Sequence, residues 1–131
     1  MSRVKAPLSD PYIRNIVRAC YPDYRGRKVV VEAREQARVM DFWDGPSRTY
    51  ATFLDLATLR TIPAEDFPNR IFQTAGNPLG LPIFDIPMRE GIALVEHVFF
   101  CGRDLGIRIV VHPVNLGRYL PSYGTEKEAT S

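Results

Sequence analysis

Glu96 and His112 are the two residues of this 131-residue chain whose types and placement best suit acid–base chemistry. They sit on two apolar runs, 92–101 and 107–112, joined by Gly102-Arg103-Asp104-Leu105-Gly106, and the pattern predicts an antiparallel hairpin. A connection of residues 102–106 pairs Cys101 with Ile107, His97 with Val111, Glu96 with His112 and Phe100 with Arg108. A carboxylate beside an imidazole can orient it as a general base. The same pairing is also an ordinary cross-strand ion pair, so catalysis needs a cleft around it.

His97 and Cys101 have the spacing of metal ligands on a helix. On a strand, however, residues four apart lie about 13 Å from each other, too far to share one zinc ion. Val95, Val98, Phe99 and Phe100 favour the strand, and there is no CxxC or HExxH, so neither a metal nor a cofactor is expected. Cys101 as a nucleophile would have Arg103 nearby to lower its thiol pKa. It lacks a base, and the hairpin register turns it inward, where a small buried thiol is the simpler reading. Cys20 and Cys101 are accordingly expected as free thiols, and a disulfide is not needed.

The most individual stretch is 41–50, which places Phe42, the single Trp43, Asp44, Arg48 and Tyr50 around an Asp-Gly-Pro-Ser turn. Aromatic and Arg side chains carry much of the binding energy at protein interfaces, and rings also stack on nucleobases. The alternative is that Phe42 and Trp43 roof the core while Asp44 shapes the turn. Charge is unevenly spread: residues 1–38 hold nine Lys or Arg against four acids, and residues 39–131 hold eight against eleven. Arg14, Arg18, Arg25, Arg27 and Lys28 make the first third a candidate surface for an anionic partner, or a solvated face balanced by acids elsewhere. Gly76-Asn77-Pro78-Leu79-Gly80 lacks the Lys-Ser/Thr ending of a phosphate loop, and no nucleic-acid motif is present.

The elements that must position these residues follow from local patterns. Ser9-Asp10-Pro11 opens a helix whose Ile13, Ile16, Val17 and Cys20 form one apolar face, and Pro22 closes it. Strands are expected over 27–33, with Val29, Val31 and Ala33 inward, over 48–56 and over 59–62. The segment 34–40 is strand continuation or loop. Five prolines between 63 and 87 make a long loop with one extended piece near 83–86. A short helix near 113–120 follows the hairpin.

The expected fold is α+β: an N-terminal helix, a mainly antiparallel sheet or small barrel of about five strands, and a short C-terminal helix. Residues 1–121 form the expected single domain, with 122–131 a polar tail. Length, with 45% hydrophobic and 24% charged residues, fits a globular domain, and no apolar run is long enough to span a bilayer. The basic start lacks the apolar run of a secretory signal, so a cytoplasmic location and no membrane partner are expected. The functional expectation is a small non-catalytic intracellular binding module, with a protein partner slightly favoured over single-stranded nucleic acid because a net charge of +2 is low for a dedicated nucleic-acid binder. The alternatives are a small enzyme using Glu96 and His112, or a subunit of a larger bacterial or phage assembly.

Overall fold

The computed structural model describes residues 2–39, 47–63 and 84–121. Trp43, Asp44, most of the Pro-rich segment and the 122–131 tail lie outside these residues, as do the side chains of Arg48 and the first few residues.

The described chain is α+β, with α1 (Pro11–Cys20) near its start and α2 (Val114–Tyr119) near its end. Between and before them run β1 (Ser2–Lys5), β2 (Val29–Ala33), β3 (Gln36–Val39), β4 (Ser47–Asp55), β5 (Arg60–Ile62), β6 (Phe84–Pro87), β7 (Ile92–Phe100) and β8 (Arg103–Val111). Six strands form one open sheet in the order β1-β2-β8-β7-β4-β5, and β3 pairs with β6 apart from it. The sheet does not close into a barrel. All its neighbours are antiparallel except β2 and β8, which run parallel.

Helix α1 forms where the sequence predicts it. Asp10 caps it by accepting the Tyr12 amide at 2.9 Å, which satisfies one of the free N–H groups of the first turn, and Pro11 stands where no donor is needed. Its buried residues Ile13, Ile16 and Val17 pack on Val29, Val31, Ile107, Ile109, Val111 and Val95. Burying each such side chain fully is worth roughly 1.5–3 kcal/mol. At the far end, buried Asn115 of α2 ties down the turn before β7: its Oδ1 accepts the Gly91 amide at 2.9 Å and its Nδ2 donates to the Arg89 carbonyl at 3.0 Å.

Two expectations about the strands need correction. Strand β2 begins at Val29 and buries all five residues, rather than alternate ones, because it lies inside the sheet with both faces covered. The hairpin register is also different. Ala93 faces Val111, Glu96 faces Arg108 and His97 faces Ile107, so residues 93–98 of β7 sit four positions from their expected partners, while Phe99 and Phe100, opposite Asp104 and Arg103, sit five away. Over 93–98 the shift is even, which preserves the face each side chain takes: Val95, Ile107, Ile109 and Val111 are buried, while His97 is half-buried.

The cause lies in the connection. Cys101 (φ 52°) and Gly102 (φ 76°) make a two-residue turn with both centres in the left-handed region, the mirror-image geometry that suits the twist of a hairpin. Residues 103–106 therefore belong to β8 and not to a loop. Gly106 marks a bulge, with Leu105 the extra residue between the Phe99–Asp104 and Val98–Gly106 pairs. A Cβ on Gly106, whose φ is +109°, would lie 2.5 Å from the Lys28 carbonyl oxygen, so this close approach of β8 to the end of the 21–28 turn needs glycine.

Candidate functional site

The corrected register separates Glu96 from His112. His112 lies beyond the far end of β8, where its Nδ1 accepts the Val114 amide at 3.1 Å and steadies the start of α2. Glu96, 1% exposed, instead meets Arg108, whose Nε donates to Oε1 at 2.7 Å and whose Nη2 contacts the same oxygen. The acid–base pair expected from the sequence is not assembled. Cys101 is likewise not an inward strand residue: it is exposed in the turn. Cys20 is a free thiol at the end of α1, and burial pushes its pKa up to about 12, which leaves almost no thiolate to act as a nucleophile.

The groups that do come together lie on the helix-covered side of the sheet, at the end that carries the β7–β8 turn. Immediately after α1 the chain passes through Tyr21-Pro22-Asp23-Tyr24, and both tyrosines pack their rings edge-on to His97, with centroids 5.5 and 5.0 Å away. His97 in turn lies 4.4 Å from Phe99, and Phe99 meets Tyr50 edge-on at 5.9 Å. The result is a row of rings running from the 21–24 turn to β4. The Nε2 of His97 is 2.9 Å from Asp104 Oδ2, and Asp104 also accepts the Gly106 amide at the bulge through Oδ1 at 2.8 Å. Thus the bulge aims the carboxylate that holds the imidazole.

The tyrosine hydroxyls are committed to structure. Tyr21 lies 2.7 Å from the Tyr50 carbonyl and 2.9 Å from the Val95 carbonyl, sharing its one proton between β4 and β7, and it accepts from Thr52 at 3.3 Å. Burial raises its pKa to about 12. Tyr24 donates to the Lys28 carbonyl at 2.9 Å, and burial, with repulsion from Asp104, raises its pKa as well. A cleft of about 460 Å³ opens over this arrangement, with Tyr21, Tyr24 and His97 among its walls and Asp23, Arg25 and Asp104 supplying charge.

Of the expected binding residues, the structure gathers some and disperses others. Arg25, Arg27 and Lys28 are exposed on or beside the 21–28 turn, and Tyr50 is 51% exposed on the same side of the sheet. Arg18 is exposed and Arg14 half-buried on α1. Arg48 lies in β4 opposite Phe99. Tyr21, Tyr24, His97 and Asp104 were not expected to act together. The one local trace of them is the Tyr-Pro-Asp-Tyr run after the helix, together with an Asp two residues before a glycine in a strand, and neither implies the other's company. Among the described residues no group of three or more His, Cys, Asp or Glu side chains is placed to hold a metal, and no helix is long and apolar enough to cross a membrane.

Comparison with models of protein families, with curated proteins and with solved structures finds no match to this chain.

Proposed function

We propose that the protein is a small binding module that docks a protein partner on the end of the sheet carrying the β7–β8 turn. The observation that carries this reading is the placement of exposed apolar side chains. Of six large hydrophobic residues exposed among those described, Tyr50, Phe100 and Leu105 lie at this end, beside the half-buried Phe99. The pleat puts Tyr50 and Phe99 on the α1 side and Phe100 on the opposite side, so apolar groups edge this end of the sheet from both faces, and with the charges around them they have the composition of a protein-docking surface.

The surrounding charges are mixed. Arg25, Arg27, Lys28 and Arg103 are exposed here, and so are Asp23 and Asp104. A phosphate backbone would have to pass the two carboxylates, whereas a protein surface of alternating sign matches them. The ring row also offers little to a nucleobase, because Tyr21 and Tyr24 each pack edge to face with His97 and stacking needs an open ring face. An enzymatic reading is disfavoured by the bonds already made: the Tyr21 and Tyr24 hydroxyls serve main-chain carbonyls, and Glu96 serves Arg108.

Titration of the protein with fluorescent single-stranded oligonucleotides at low and high salt separates the two partner classes. No binding at low salt is the expected result. Salt-sensitive binding that weakens in Tyr50→Ala would replace the protein partner with a nucleic acid.

A further inference from the structure

On the sheet face opposite α1, four charged side chains alternate in sign across three adjacent strands. Arg34, just past β2, lies 3.7 Å from one oxygen of Glu32; the other oxygen of Glu32 is 3.8 Å from Nη1 of Arg108 on β8; and Arg108 reaches Glu96 on β7. Glu32 and Glu96 are both buried, 5% and 1% exposed, while the arginines keep one side toward solvent.

The chain ends unevenly. An Arg fork ordinarily spans both oxygens of a carboxylate, but Arg108 places Nε and Nη2 on the same oxygen of Glu96. Oε2 of Glu96 is buried and has no hydrogen-bond partner among the described residues. Its surroundings offer no remedy among the described residues: β4 presents Ala51 opposite Glu96, and Phe53, Leu94, Val110 and Met88 form the adjoining apolar cluster. Among the described residues, the charged groups that face Glu96 are Arg108 from β8 and Glu32 from β2. A full negative charge with one oxygen turned into apolar surroundings is much costlier than a neutral carboxyl in the same place.

We propose that Glu96 is a proton-binding site, holding a proton on its carboxyl in the folded protein, and that releasing this proton to solvent as pH rises weakens the seam between β7 and β8. Both Arg108 contacts fall on Oε1, so a proton on the unpartnered Oε2 changes the cost of the buried group without displacing them. Burial raises the Glu96 pKa, the charge and hydrogen bonds of Arg108 oppose that rise, and the neighbouring Glu32 adds to it. For an acid whose folded pKa lies above its unfolded value, the stabilisation is fully present below the unfolded pKa and is lost as pH climbs through the folded one. The effect is therefore greater stability on the acidic side.

The test follows the side-chain carboxyl carbons of the wild-type glutamates by NMR through a pH titration, alongside thermal melts of wild type, Glu96→Gln and Glu90→Gln. Glu90 is exposed and paired with Arg118, and serves as the surface control. Glu96 should titrate at least about one pH unit above Glu90, a tenfold weaker acid. Wild type should melt progressively below Glu96→Gln as pH rises, with the gap closing toward acid, while Glu90→Gln shows no such trend. A Glu96 carboxyl that titrates alongside Glu90 overturns the proton site, and parallel melting of wild type and Glu96→Gln at every pH overturns the weakening of the seam. Should Glu96→Gln fail to fold, the wild-type titration decides alone.

Discussion

Glu96 and His97 are neighbours on β7, and the two sides of the sheet treat them in opposite ways. Glu96 is sealed against Arg108 beside Leu94, Val110 and Phe53, where a negative charge is a burden to the interior. His97 faces the α1 side, where rings wall it in on three sides and the 42% exposed carboxylate of Asp104 holds its Nε2 at the edge of the cleft. Period-two alternation decides which side a residue takes. What covers that side decides whether a polar group becomes part of the interior or part of a surface that a partner can read.

The comparison breaks most readily if the face opposite α1 is not a true interior. Leu94, 0% exposed, packs there with Phe53, Met88 and Val110. Leu94→Ala should cost about 2–5 kcal/mol, the range for removing a large apolar side chain from a close-packed site, as measured by denaturant unfolding. A cost below about 1 kcal/mol, typical of surface positions, would mean that Glu96 sits in a wet environment and that the contrast with His97 fails.

A smaller effect sharpens the α1 side. Tyr21→Phe removes the hydroxyl that joins β4 to β7 at Tyr50 and Val95 while leaving the ring against His97. The expected loss is about 1 kcal/mol, because water can reach part of the site and recover some of the bonding. A loss near zero would show that the ring packing alone fixes the 21–24 turn over β7.

Local signals in the chain made α1, β4, β5 and the existence of the hairpin legible. The Asp10 cap, the Pro11 start and the spacing of Ile13, Ile16 and Val17 are short-range features that act wherever the helix finally packs. The hairpin register was not legible, because it turns on one residue: a non-glycine, Cys101, accepting positive φ in the turn. By composition Gly106 marks the end of a loop, yet its role is to let β8 approach Lys28. The parallel β2–β8 pair and the Arg34-Glu32-Arg108-Glu96 chain depend on strands far apart in sequence, so no local pattern announces them. Tyr50, an expected binding residue, is exposed, while Trp43 and Asp44 lie outside the described residues.

The most direct measurement is quantitative mass spectrometry of proteins retained from a host extract by immobilised wild type and by Tyr50→Ala. Tyr50 is half-exposed, so its removal should change stability by no more than about 0.5 kcal/mol, and any loss of binding reports on the surface rather than on folding. Tyr12→Ala, which removes another exposed aromatic on the distant first turn of α1, is the matched control. The expected result is a partner recovered equally by wild type and Tyr12→Ala and depleted at least about tenfold by Tyr50→Ala, the loss of about 1.4 kcal/mol or more expected of an interface anchor. Equal recovery by all three proteins would contradict docking at the β7–β8 end of the sheet.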